Sequence, residues 1–203
     1  KIIDNFLNED DFNSLCNLKV EKESNTKFKV LHNEISGNKV LKSSIDEKLL
    51  IKLNKYHTKA MEILKELSPE KFNLYDYSDF VLILTDKNAK FPFHDDTPNK
   101  LLSGVIYLKP EKNSGTIFSN SKKGTNSKKV EWKQNRAVFF SRREKETWHA
   151  YEGDGASNRL ALVYNLNSNR LKEVYKAEKK NYFFGNLRYK LNPYLHRFLK
   201  FTI

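Results

Sequence analysis

Residues 77–108 read YSDFVLILTDKNAKFPFHDDTPNKLLSGVIYL, and their pattern decides the fold. Three short runs stand out, Tyr77–Thr85, Lys90–Asp96 and Leu101–Leu108, parted by Lys87-Asn88 and by Thr97-Pro98-Asn99. Asn and Pro at these breaks are turn material, and runs of this length between turns read as β-strands. The rhythm continues downstream. Further strands are expected at Thr116–Ser119, Lys128–Trp132, Ala137–Ser141, Thr147–Tyr151 and Arg159–Asn165. Asn113-Ser114-Gly115, Lys123-Gly124-Thr125-Asn126 and Gly153-Asp154-Gly155 supply turns between them. About eight short strands so spaced predict a β-sandwich or jelly roll.

Upstream the pattern is helical. Residues 2–7 predict a short strand, and Asn8 or Asp10 then caps a helix running to about Leu18. Lys27–His32 reads as a weak strand. Ser44 and Glu47 have the spacing of a capping box, and Ile45, Leu49, Leu53, Tyr56, Ala60, Ile63, Leu64 and Leu67 recur at helical spacing until Pro69. After Asn165 the chain turns helical and basic again. Arg170–Lys180 predicts a helix, and Tyr182, Phe183, Phe184, Tyr189, Tyr194, Phe198 and Phe201 then stand among Lys and Arg. With no repeat and no linker, one domain over residues 1–166 is expected. It would hold N-terminal helices over 8–68 and a β core over about 74–166, and a basic aromatic helical extension over 167–203 would pack on it.

The chain has 203 residues, enough for one sizeable core, with a formal net charge of +12. That charge either steers acidic partners to the surface or simply solvates it, and no motif decides between the two. Helix-turn-helix, zinc-finger and RNA-binding-strand signatures are all missing, so no specific nucleic-acid partner is expected. No apolar run is long enough to span a membrane, and no segment has the layout of a signal peptide. Cys16 is the only cysteine, which excludes an internal disulfide and a thiolate zinc cluster. The expected compartment is cytoplasmic.

Chemistry concentrates around His94-Asp95-Asp96. On a strand, residues i and i+2 share a face, so His94 and Asp96 can reach one metal ion while Asp95 faces away. His149, on a later strand, would complete a set of two imidazoles and one carboxylate. Such a set leaves coordination positions open and suits non-heme Fe(II). Arg159 lies ten residues on, at the head of the apolar run Leu160-Ala161-Leu162-Val163-Tyr164. A buried guanidinium is expensive unless paired, and an anionic ligand would supply the partner. His32, His57 and His196 carry no supporting neighbours and are assigned no role.

These residues, in this order, resemble the prolyl-4-hydroxylase-like branch of the Fe(II)/2-oxoglutarate-dependent oxygenases. The elements are Ile3-Asp4-Asn5-Phe6-Leu7 before a helix, then His94-x-Asp96, Gly104-Val105-Ile106-Tyr107-Leu108, a turn at Gly115, Arg136-Ala137-Val138-Phe139-Phe140, His149 and Arg159. The resemblance implies a mainly β fold with flanking helices around a double-stranded β-helix, the cupin-like jelly roll. It implies that His94, Asp96 and His149 bind Fe(II) and are the catalytic centre. It further implies that Arg159 binds the distal carboxylate of 2-oxoglutarate, helped by the Tyr107 hydroxyl, although Tyr107 reads equally as a core aromatic. The activity implied is a dioxygenase: hydroxylation of an unactivated C–H bond with O2, release of succinate and CO2, and ascorbate as reductant. Its substrate would be peptidyl proline, another side chain or a small molecule. The chain departs from the family at Leu82-Ile83-Leu84-Thr85, where a Tyr is frequent, at Ala161, where a Ser is, and at Ser114, where a first Gly is.

Trp132 and Trp148 read as core residues or as pocket lining. Segments Lys87–Phe91 and Ser119–Lys129 are expected to shape the entrance, and their lysines suggest an acidic substrate. The rival readings are a non-catalytic jelly-roll binding protein and a cupin metalloenzyme needing no cosubstrate.

Overall fold

A computed structural model describes residues 1–199, and the side chains of residues 1–192. The expectations placed on Tyr194, His196, Phe198 and Phe201 lie outside the described side chains.

Strand β1 (Ile2–Ile3) leads into helix α1 (Glu9–Cys16), capped by the Asn8 side chain, which accepts from the Asp11 amide. Next come β2 (Phe28–Leu31), β3 (Glu34–Ser36) and β4 (Lys39–Lys42). The β3–β4 hairpin is absent from the expectations above. Its turn at Gly37-Asn38, with Gly37 at φ 56°, is a hairpin signal of the kind Gly supplies at no steric cost.

The helix expected from Ser44 is two helices, α2 (Glu47–Leu53) and α3 (His57–Leu67), joined by a 3-10 turn over Asn54–Tyr56. Its cap is Asp46, which accepts from the Lys48 and Leu49 amides. Ser44 instead donates to the His32 carbonyl, so the capping box is not formed. The 3-10 turn brings Tyr56 onto a tertiary anchor. Its hydroxyl donates to Asp11 at 2.6 Å and accepts from the Asn8 amide at 2.9 Å, and this ties the break to α1. Pro69 does end α3, and it opens a second 3-10 stretch over Pro69–Leu74.

The β core follows as β5 (Tyr77–Thr85), β6 (Lys90–His94), β7 (Lys100–Lys109), β8 (Ile117–Ser119), β9 (Lys128–Lys129), β10 (Ala137–Phe140), β11 (Trp148–Glu152) and β12 (Arg159–Asn167). Only the first two residues of the expected Lys128–Trp132 strand pair. Helices α4 (Leu171–Ala177) and α5 (Tyr182–Leu199) close the described chain.

These strands form two sheets. The larger has the order β1-β10-β7-β12-β5-β3-β4, with β2 also paired to β5; the smaller is β6-β11-β8-β9. All pairings are antiparallel. The chain is a jelly roll, mainly β with helices outside the larger sheet.

Alternation along the central strands separates two interiors. Leu102, Ile106 and Leu108 of β7, Leu160, Leu162, Tyr164 and Leu166 of β12, and Phe80 and Leu82 of β5 face the helices. They pack there with Leu50, Leu53, Ala60, Ile63 and Leu64 in the main core. The opposite faces of β7 and β12 put Val105, Tyr107 and Ala161 between the two sheets, with Trp132 and Val138. This second interior is smaller. Among the described residues no helix is long and apolar enough to cross a membrane.

Candidate metal site and a buried arginine

The register of the smaller sheet sets His94 of β6 directly opposite His149 of β11. Directly opposed residues share a face, so both imidazoles point to one side, with ring centroids 4.2 Å apart. Each ring is fixed in one tautomer. His94 Nδ1 lies 2.9 Å from the Pro92 carbonyl and His149 Nδ1 lies 3.1 Å from the Thr147 carbonyl. A carbonyl only accepts, so each Nδ1 carries the proton and each Nε2 presents a lone pair, as a metal ligand requires.

Asp96 reaches the same point by a route other than the expected one. β6 ends at His94, and Asp96 sits beyond it at φ 61°, so the strand rule of i and i+2 does not place it. A left-handed turn, which Asp tolerates better than most residues, swings the carboxylate back. Oδ1 comes to 3.7 Å from His94 Nε2 and Oδ2 to 3.6 Å from His149 Nε2. One donor atom from each of His94, Asp96 and His149 lies within 4.8 Å of the others, close enough for one ion, the one such set among the described residues.

Asp95 does face away, and it has work of its own. Arg188 on α5 grips both of its oxygens, at 2.9 and 3.0 Å, and the Lys145 amide donates to it at 2.7 Å. Arg188 also donates to Glu144 at 3.1 Å. The turn between two candidate ligands is thereby tied to the C-terminal helix. Bidentate guanidinium–carboxylate pairs are among the stronger polar contacts, and groups that orient metal ligands typically carry 10- to 100-fold in affinity. Arg188→Leu is expected to weaken Mn(II) binding about 10-fold, on the scale of that range. Titration calorimetry on the variant checks this; unchanged affinity would leave Asp95 with a purely structural role.

Asp96 is also held from the cavity side. Lys100 Nζ donates to Oδ1 and Ser103 Oγ to Oδ2, both at 2.8 Å. Burial by itself would raise this carboxyl's pKa. Lys100 and the two imidazoles outweigh burial and hold it far below the usual carboxylate range.

Burial pushes His149 down to about 4, with Asp96 pulling the other way. In the metal-free protein the sign is clear. As pH falls below the ordinary imidazole value of 6.5, the unfolded chain takes up this proton before the folded one does. Stability present above 6.5 is therefore lost as pH falls toward 4. At about 1.4 kcal/mol per pKa unit the loss reaches up to about 3 kcal/mol. Asp96 adds to it below about pH 4, where its unfolded carboxyl protonates. His149→Gln should flatten the urea-unfolding profile between pH 6.5 and 4, whereas parallel profiles for the two proteins would refute the assignment.

Arg159 stands at the head of β12, 6% exposed. Its guanidinium carbon lies 3.8 Å from the Tyr151 ring centroid and 6.0 Å from that of Trp132. Its Nε and Nη1 are buried without a hydrogen-bond partner. Burial lowers its pKa, with Tyr151 and Tyr107 opposing. A cavity of about 150 Å³ contains this guanidinium together with His94, Asp96 and His149, and is also lined by Lys100 and Thr116. A buried cation with orphaned donors, sharing one cavity with three candidate metal ligands, fits a metal ion plus an anion bridging to the arginine.

Tyr107 is fully buried and stacks on Trp132 at 4.4 Å. Its hydroxyl accepts from the Thr116 amide at 2.8 Å and donates to Thr116 Oγ1 at 3.0 Å. In this structure Tyr107 serves the core and orients Thr116, and it is Thr116 that lines the cavity. Ala161, paired across the sheet with Tyr107, leaves no hydroxyl there. Trp148 is buried too, its Nε1 donating to the Lys145 carbonyl. Phe91, from the expected entrance segment, lines the cavity, and Gly124 of the Lys-rich segment meets the Phe93 ring.

No protein-family model matches the sequence, and no curated protein matches it. Solved structures do. A prolyl-4-hydroxylase from Pseudomonas putida superposes with a TM-score of 0.54 at 16% identity, covering 83% of this chain and 91% of that one. A 2-oxoglutarate/Fe(II) oxygenase-family oxidoreductase from Burkholderia pseudomallei gives 0.53 at 15%, covering 78% of each chain. The fold is that of the 2-oxoglutarate/Fe(II) oxygenases. The dioxygenase for auxin oxidation from Arabidopsis thaliana, solved with 2-oxoglutarate, gives 0.55 at 12%, covering 74% of this chain and 66% of that one. At these identities the likeness is one of fold, and this chain's own residues must carry its chemistry.

Proposed function

We propose that this chain is an Fe(II)- and 2-oxoglutarate-dependent oxygenase that hydroxylates an unactivated C–H bond. One observation carries the reading: the guanidinium of Arg159, with two orphaned donors, shares one cavity with His94, Asp96 and His149. In this reading the two Nε2 atoms and one Asp96 oxygen hold the iron. Arg159 holds the distal carboxylate of 2-oxoglutarate, and the Thr116 hydroxyl, set by Tyr107, is placed to help. Iron with 2-oxoglutarate supplies the activation of O2 and the oxidation of the substrate, releasing succinate and CO2. The protein's part is to leave coordination positions open, orient the cosubstrate and keep water out with Phe91, Val105, Phe140 and Val163. Ascorbate is the expected reductant.

Peptidyl proline fits the fold relatives, among which a prolyl hydroxylase from Trichoplax adhaerens is solved with a hypoxia-inducible-factor peptide, with a TM-score of 0.52 at 12% identity. Other side chains and small molecules remain in the proposed substrate class, and the Lys-rich Ser119–Lys129 segment favours acidic ones. Arg159 argues against a metalloenzyme that needs no cosubstrate, since such a site has no use for an unpaired buried cation. The test is anaerobic titration of the Fe(II)-loaded protein with 2-oxoglutarate. A visible charge-transfer band is expected on chelation; its absence with iron demonstrably bound would refute the proposal.

A further inference from the structure

Lys100 is a second cation in the cavity, and its position is hard to reconcile with a loaded metal site. It is the fourth residue after Asp96 and stands at the start of β7, with its side chain 21% exposed. Its ammonium lies 2.8 Å from Asp96 Oδ1 while Ser103 occupies Oδ2. Each carboxylate oxygen thus already accepts one hydrogen bond. A divalent ion binding at His94, His149 and Asp96 must take one oxygen. The neutral Ser103 hydroxyl can stay on the carboxylate beside the ion, but an ammonium is repelled by it. Lys has a flexible four-carbon stem and no fixed fork, so it can move where an arginine would be held.

We infer that Lys100 is a positioning residue that exchanges carboxylates: it neutralises Asp96 before the metal binds, then holds the metal-side carboxylate of the cosubstrate. This rests on the 2-oxoglutarate reading above. In that reading Arg159 holds one end of the dicarboxylate from the same cavity. The other end lies at the triad, beside the displaced ammonium, whose charge Asp79 also feels. Metal and cosubstrate binding are then positively coupled through Lys100. The metal's charge repels the ammonium from Asp96, and the cosubstrate gives that ammonium a new partner, so each ligand strengthens the other by the same factor.

Calorimetric titration of wild type and Lys100→Met with Mn(II), and of each Mn(II)-loaded protein with 2-oxoglutarate, tests this. Methionine preserves the stem and removes the charge. The variant is expected to bind Mn(II) alone about 10-fold more tightly, and its Mn(II)-loaded form to bind 2-oxoglutarate about 10-fold more weakly, within the usual range of such couplings. Lys100→Arg keeps the charge and should not show the gain in Mn(II) affinity, which excludes a general loosening of the site. Equal or weaker Mn(II) binding by Lys100→Met overturns the exchange, and so does undiminished 2-oxoglutarate binding. Failure of wild-type Mn(II)-loaded protein to bind 2-oxoglutarate at all would instead overturn the proposed function, and the Mn(II)-only titration would still judge the Lys100–Asp96 competition.

Discussion

Arg159→Leu is expected to weaken 2-oxoglutarate binding to the metal-loaded protein about a thousandfold, on the order of 4 kcal/mol, while making the ligand-free protein no less stable. The two signs have one cause. The guanidinium is buried over the Tyr151 and Trp132 rings, with Nε and Nη1 unpartnered. Leucine removes an uncompensated buried charge and its desolvation cost. In the complex the same buried charge meets a carboxylate, and truncating one partner of such a pair is severe. Arg159→Lys keeps the charge but loses the planar fork, so its affinity should fall between the two. Calorimetric titration with 2-oxoglutarate and thermal unfolding of the ligand-free protein check the pair of effects. A large loss of stability with unchanged affinity would make Arg159 a core strut and no ligand group.

The strand rhythm of residues 77–167 was legible because each turn carried its own chemistry and each run had one buried face. Arg159 was legible because a charge in an apolar run needs an explanation that no neighbour in sequence offers. The triad was legible as a composition but for the wrong geometric reason at Asp96. Its approach depends on a left-handed residue past the strand end, which no periodicity encodes. The Ser44 box failed because a tertiary contact, Ser44 to the His32 carbonyl, outbid a local cap that Asp46 supplied equally well. The groups that hold Asp96 and Asp95 were not singled out. Ser103 looked like one polar residue in a strand, and Arg188 like one of many basic residues in an aromatic tail. Only the fold brings Arg188 within reach of Asp95, 93 residues away. For Lys100 a signal existed, a lysine four residues past the carboxylate, but strand and turn separate them, so helical i,i+4 logic does not apply.

Glu178→Ala is expected to destabilise the protein by about 3–5 kcal/mol, because it strands two buried cations. Glu178 is the C-cap residue of α4, and its carboxylate is fully buried. Oε1 accepts from Lys71 at 2.7 Å; Oε2 accepts from Arg142 at 2.7 Å and from the Glu144 amide at 3.1 Å. Lys71 also donates to the Arg142 carbonyl. Burial drives the Lys71 pKa down, with Glu178 opposing, so losing the carboxylate drives that ammonium toward its neutral form. Arg142 would lose its buried carboxylate partner as well. The triple replacement Lys71→Met, Arg142→Met, Glu178→Leu should recover much of the loss, since apolar side chains of similar volume often match a buried ion cluster. Urea unfolding at pH 7 separates the two outcomes, and a single variant as stable as wild type would show that water reaches the cluster. The consequence extends to the metal site. Glu178 fixes the segment Arg142–Glu144 just before β11, which carries His149, and Glu144 is the second partner of Arg188. A folded Glu178→Ala protein should therefore also bind Mn(II) more weakly, and the triple variant should restore stability more fully than metal affinity, because apolar side chains fill the volume without gripping the Glu144 amide.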